Sequence, residues 1–315
     1  MRKKLDIDIP QIRTYLRQGY PVSMVRNNDW IYDKYVQLFY DKTNNENKYV
    51  NYLNYNFFEK DGVFFKGYHL FPYKKRRFLI QEIIDLVDEG WFYFGKWNEV
   101  YIPNTYYHLN QIPYEHRNLV YGYDTEKNVF LVQGYLADWK WHEYEVKFYD
   151  FCKSLIDQSG FIEFETYKLN KSYEFCFSID NLREELNQYI HKQSKEDANL
   201  IYGISAVRLF WQEILDYYKE NLPIDQTSVY IFCERANTMQ KRLEILRLMG
   251  SLSEDDFNQF VKECKMIENE YAAVVNKMIK YNIMPNKKLT YQVAKEGMEV
   301  SEREYKFFKK LMEKL

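Results

Sequence analysis

The apolar positions of the chain change their period near residue 195. Short apolar runs between polar turns give way to apolar residues that recur every three or four positions over long stretches. In the first part, 75–89 sets Phe78, Leu79, Ile83, Leu86 and Val87 on one helical face and stops at Gly90. Runs of strand length follow at 91–97, 100–103, 117–123, 129–135 and 141–146. Next come a helix over 147–157, strands at 162–169 and 173–177, and a helix from about Asp180 with Leu182, Leu186 and Ile190 on one side. Beyond 195 the pattern predicts four long helices, 207–221, 226–249, 254–280 and 289–314. Pro223 and Pro285 fall in two of the breaks, and Ser253 caps an acidic first turn of Glu254, Asp255 and Asp256. The chain therefore reads as α+β, with an α+β domain over 1–194 and a helical domain over 195–315 folded as an antiparallel bundle. The polar stretch 192–198 is the predicted linker.

The segment 113–135 reads as a β-hairpin, with the polar turn 124–128 (Asp-Thr-Glu-Lys-Asn) between apolar runs. A period of two puts His116, Asn118, Val120 and Gly122 on one face and Arg117, Leu119, Tyr121 and Tyr123 on the other. His116 thus stands at the leading edge of the hairpin beside a surface thinned by glycine, a suitable place for a catalytic base.

Charge narrows the partners. The 44 basic and 46 acidic residues give a net charge of −2, without the basic excess of a nucleic-acid binder. No apolar stretch approaches eighteen residues, and the N-terminus lacks the apolar run of a secretory signal, so a cytoplasmic protein without a membrane span is expected. Cys152, Cys176, Cys233 and Cys264 are far apart, and His69, His108, His142 and His191 share no ligand spacing, so neither a metal nor another cofactor is expected. Glu143 with Glu145, and Glu163 with Glu165, are same-face pairs that read as solvated strand faces. The run Lys74, Lys75, Arg76, Arg77 at a helix start is a candidate contact for an acidic partner such as a carrier protein. The compositional anomaly is aromatic, with 31 Tyr and 22 Phe. Rings with polar tips line wet clefts or cover sheet edges, and Trp30, Trp97, Tyr101 and Tyr123 are the candidates for contacting a substrate.

Residues 75–157 run as a helix, Asp-Glu-Gly ending at Gly90, an aromatic strand, Tyr-Ile-Pro ending at Pro103, and a tyrosine-rich loop. His116 follows, then Tyr-Gly-Tyr-Asp ending at Asp124 and Val-Phe-Leu-Val-Gln-Gly-Tyr ending at Tyr135. This order resembles the papain-like domain of the butirosin biosynthesis protein H family, related to the papain-like peptidases that process bacteriocin leaders. Upstream, 30–38 (Trp-Ile-Tyr-Asp-Lys-Tyr-Val-Gln-Leu) is similar to the early helix of divergent members, and the helical tail with 242–246 (Arg-Leu-Glu-Ile-Leu) is similar to theirs. The resemblance spans most of the chain, through short motifs. It implies a papain-like domain, with helices packed on an antiparallel sheet, followed by a helical bundle. It also implies a cysteine on an N-terminal helix, a histidine on the first strand of the sheet and an Asp or Asn on the next. In the butirosin protein the chemistry is acyl transfer from a carrier-protein thioester to an amine; other relatives hydrolyse or form amides.

The chain departs from that pattern at two of three positions. No cysteine precedes Cys152, which follows His116 and so has the wrong order for the nucleophile; Ser23 is the upstream residue with a nucleophilic oxygen. Gln133 and Gly134 stand where the orienting acid belongs, and a glutamine can hydrogen-bond His116 without stabilising an imidazolium. Two functions follow as expectations. One is a divergent papain-like protein of bacterial specialised metabolism, of peptide or aminoglycoside type, that lacks the cysteine and binds a peptide or an acyl-carrier-bound substrate. The other is an active acyltransferase or amidase in which His116 is the base, with Ser23 or no protein nucleophile.

Overall fold

A computed structural model describes residues 1–42, 50–52, 62–192, 199–220, 226–284 and 286–315; of the predicted linker 192–198, only Lys192 is among them. The elements begin with strand β1 (Arg2–Lys4), helix α1 (Leu16–Met24), strands β2 (Leu38–Asp41), β3 (Val50–Tyr52) and β4 (Phe64–Pro72), and helix α2 (Leu79–Asp88). Strand β5 (Phe92–Asn98), helix α3 (Tyr106–Leu109), strands β6 (Glu115–Asp124), β7 (Val129–Tyr135) and β8 (Trp141–Lys147), helix α4 (Phe148–Ser154) and strand β9 (Phe161–Leu169) follow. The chain continues with α5 (Ile179–His191), β10 (Leu200–Tyr202), α6 (Gly203–Glu220), α7 (Gln226–Leu248), α8 (Glu254–Ile283) and α9 (Lys287–Lys314). The architecture is α+β. No helix among the described residues is long and apolar enough to cross a membrane.

Two units share the chain discontinuously. The first comprises Met1–Asn27 and Asn56–Glu174, the second Asn28–Tyr55 and Phe175–Leu315, so the division differs from the one predicted at 194/195. Buried polar groups account for the difference, because they tie 28–37 to α5 and α7 in the second unit. Glu185 of α5 accepts from the backbone N–H groups of Val36 and Gln37 at 3.3 and 3.1 Å. Asp33 accepts from the Ser178 N–H at 2.9 Å, and the fully buried Arg242 of α7 donates to the carbonyls of Tyr32 at 2.6 Å and Lys34 at 2.5 Å. Such bonds are invisible to apolar periodicity. In this unit β10, β2 and β3 form a small antiparallel sheet, α6 packs on β2, α7 packs on α8, and α9 packs on both α6 and α8.

The first unit is built on an antiparallel sheet of order β4-β9-β5-β6-β7-β8, with β1 pairing to β6. One face carries Tyr93, Trp97, Val120, Val132 and Val146 against Leu79, Ile83 and Val87 of α2 and Phe151 of α4. Leu79, Ile83, Leu86 and Val87 of the apolar stripe predicted in 75–89 thus form the core side of a helix that begins at Leu79, after a 3-10 turn at Tyr73–Lys75, whereas Phe78 precedes the helix and is exposed. On the opposite face lies α1, where Tyr20 packs against Phe94 and Trp141.

Three predicted elements differ from those observed. The strand expected at 100–103 is replaced by a 3-10 turn, Glu99–Tyr101, because the Asn98 side chain caps the Val100 N–H and stops strand pairing. No strand forms at 173–177; the chain instead leads to Ser178, which caps α5 by accepting from the Asn181 N–H. The helix expected from the resemblance at 30–38 is a 3-10 turn, Asp29–Asp33, capped by Asn28, and an α-helix, α1, lies upstream of it.

The strand pattern is also interrupted by a bulge. Leu119 pairs with Gln133 and Val120 with Val132, but the register then shifts so that Gly122 faces Leu131 and Tyr123 faces Phe130. The extra residue turns Tyr123 onto the core face, against the strict alternation expected. Glycine is needed at 122, because a Cβ there would sit 2.6 Å from the Lys3 carbonyl oxygen on β1.

Candidate functional site

Pairing of β6 with β7 ends at Leu119 and Gln133, although β6 continues beside β5 to Glu115 and β7 beside β8 to Tyr135. The two central strands therefore part, and side chains from three elements occupy the split. The Tyr20 hydroxyl donates to the Arg117 carbonyl at 3.3 Å, where no β7 amide takes its place. The Tyr144 hydroxyl donates to Asn118 Oδ1 at 3.4 Å, and Asn118 Nδ2 donates to the His116 carbonyl at 3.3 Å. A Cβ on Gly134 would stand 3.3 Å from the Tyr20 oxygen and 3.5 Å from that of Tyr144, so this glycine keeps the split open.

His116 lies at the end of this split, with its side chain 33% exposed. Its Nδ1 is 2.8 Å from Oε1 of Glu99, a carboxylate 6% exposed. A carboxylate accepts only, so Nδ1 carries a proton, and in the neutral imidazole the lone pair is then on Nε2. Nε2 meets no hydrogen-bond partner among the described residues. Glu99 is fixed in turn: its N–H donates to Tyr114 O at 2.8 Å and its carbonyl accepts from Thr105 Oγ1 at 3.2 Å. Burial, followed by the Tyr144 hydroxyl and Glu99, holds the Tyr20 phenol well above its ordinary pKa, and burial with Glu99 does the same for Tyr144. Both phenols are therefore neutral donors at physiological pH.

The residues predicted from sequence are distributed otherwise than expected. Gln133 pairs with Leu119, so its side chain points to the face opposite His116, and the two make no hydrogen bond. Gln133 instead accepts from Ser23 Oγ at 2.5 Å and donates to the Asp8 carbonyl at 3.1 Å. Ser23 is 0% exposed and lies in the last turn of α1, not at the helix N-terminus where backbone N–H groups would favour an anionic nucleophile. Trp97 and Tyr123 are core residues, and the Tyr123 hydroxyl donates to Asp88 at 2.8 Å. Trp30 is buried in the second unit, edge-on to Phe175 with the Lys34 ammonium over its face. Of the four aromatic candidates only Tyr101 is exposed. Cys152 packs at the rim of the core, and burial raises its thiol pKa, the reverse of what a thiolate nucleophile needs. Among the described residues, no three His, Cys, Asp or Glu side chains are grouped to hold a metal ion.

Glu99, Asn118, Tyr20 and Tyr144 were not singled out in the sequence. The carboxylate that meets His116 comes from the turn after β5, before the histidine, and not from the strand that follows it. Comparison with protein-family models and with curated protein sequences gives no match.

Proposed function

We propose that the chain is a papain-like protein of specialised metabolism, with a C-terminal helical bundle, that acts on acyl groups without a protein nucleophile. His116, held by Glu99, is the general base. An amine, or water, attacks the carbonyl of an acyl group delivered as a carrier-protein thioester or as a peptide. Nε2 takes the proton as the carbon–nitrogen bond forms, Glu99 stabilises the imidazolium, and the proton passes to the departing thiolate or amine as the tetrahedral adduct collapses. The observation that supports this is the His116–Glu99 contact at 2.8 Å, with no hydrogen-bond partner for Nε2 among the described residues. General-base catalysis of this kind contributes about 10²–10⁴-fold, with positioning of the two reactants adding to it. The test is amide formation from an acyl-N-acetylcysteamine thioester and a primary amine. His116→Ala is expected to lower the rate by that factor, and turnover unchanged in the variant would refute the assignment.

A second function, binding of a peptide or carrier-borne substrate without turnover, is favoured by the burial of Ser23 and the raised Cys152 thiol. In that case neither the wild-type chain nor His116→Ala forms product, and both retain the ligand.

A further inference from the structure

Outward from His116, rings follow one another across the surface of the first unit. Tyr114 meets the imidazole edge-on at 5.4 Å, Tyr107 stacks on Tyr114 at 4.0 Å, Tyr106 stands edge-on to Tyr107 at 5.5 Å, and Trp139 tilts over Tyr106 at 5.1 Å. Tyr106, Tyr114 and Trp139 are exposed, Trp139 by 61%. The backbone of Trp139 is left-handed, with φ of 57°, a conformation that costs a non-glycine residue about 1–2 kcal/mol. Its turn is tied down by the Ala137 N–H to the Asn104 carbonyl at 2.9 Å and its own N–H to Leu136 O at 3.0 Å. An indole held at that cost and left in solvent gains little from folding, which directs attention to a ligand. The platform is also joined to the base, since Thr105 both caps α3 through the His108 N–H and donates to the Glu99 carbonyl.

The chemistry of the surface selects among ligands. Backbone N–H groups of Asn110, Gln111 and Ile112 are spent on carbonyls of their own turn, so an extended peptide finds no ladder to join along that turn. The flanking ion pair, Lys96 with Glu115 at 3.6 Å, carries both signs, and His142 is hydrogen-bonded to Asp138 at 2.9 Å, so phosphates find no cationic track there. Rings set alternately edge-on and stacked present both positive edges and negative faces, which a further aromatic ring complements in either geometry.

We propose that this run of rings is the binding platform for an uncharged aryl group of the substrate, and that it places the reacting carbon or amine at His116. The orientation toward His116 rests on that residue being the base; the platform does not. The test is NMR titration with N-benzylacetamide against its cyclohexylmethyl analogue and methyl cellobioside. The aryl amide is expected to bind at least about fivefold more tightly than either, and Trp139→Leu and Tyr106→Leu each to weaken it by about three- to tenfold. Both side chains are exposed, and circular dichroism checks that the variants fold. Equal affinity for the cyclohexyl analogue, preference for the saccharide, no binding, or no loss in the variants would overturn the proposal. Selective aryl binding that persists in His116→Ala, with no amide formation by the wild-type chain, would remove the catalytic assignment and leave the platform standing.

Discussion

Glu99 is the residue that gives His116 a defined chemistry, because a half-exposed histidine alone exchanges its proton between two nitrogens. With the buried carboxylate accepting from Nδ1, one tautomer is held. Glu99→Ala, which removes the acceptor, is expected to release it, seen as His116 ¹⁵N shifts moving toward the average of both tautomers; unchanged shifts would show that Glu99 does not set the tautomer. Ser23 has a structural part. Ser23→Ala removes the donor to the buried Gln133 Oε1, and chemical denaturation is expected to show a loss of about 1–3 kcal/mol. The histidine was legible in the sequence from its place at the head of a hairpin. The carboxylate that meets it was not, since the register that separates Gln133 from His116, and the turn that brings Glu99 to it, depend on where pairing begins and stops.

At the scale of elements, long periodic segments were the most legible: α2, β7, β8, β9 and the helices from α6 onward lie close to their predicted bounds. Strand β4 was missed although it pairs with β9 along its whole length. It is an edge strand whose burial alternates from Gly67 to Pro72, but its exposed positions include the large apolar side chains of Tyr68 and Leu70, so apolar and polar residues do not alternate in the sequence. The bulge at Gly122 could not be read either, because its cause is the approach of β1 from over a hundred residues away. Gly122→Ala places a methyl against the Lys3 carbonyl and Leu131, and a loss of about 1–3 kcal/mol is expected in urea denaturation. On β4, His69 stacks on Phe164 and shares a 3.0 Å hydrogen bond with Thr166 Oγ1. Burial lowers its pKa below the usual 6.5. The unfolded chain then binds this proton at a pH where the folded chain does not, so stability is unaffected above that value and falls as the solution is acidified below it. Melting temperatures from about pH 7.5 to 5.5 are expected to drop less in His69→Gln than in the wild type.

For the whole molecule, the sequence conveyed the change from strands to helices but not the exchange of segments between units. That exchange depends on a few buried polar side chains in the second unit, and Arg242 makes the most of them. Arg242→Met leaves the carbonyls of Tyr32 and Lys34 buried without their donor, and a loss of about 2–6 kcal/mol is expected, about 1–3 for each unsatisfied group. A melting temperature unchanged in this variant would show that 28–37 is held by other means.

The central claim is that His116 acts as base in the absence of a protein nucleophile. It is tested most directly by measuring amide formation from an acyl thioester in the wild type, Ser23→Ala and His116→Ala, with intact-mass spectrometry of each during turnover. The expected result is a rate retained by folded Ser23→Ala, a loss of about 10²–10⁴-fold in His116→Ala, and no acylated chain in any sample. An acyl adduct on the wild-type chain that disappears in Ser23→Ala together with the activity would contradict it.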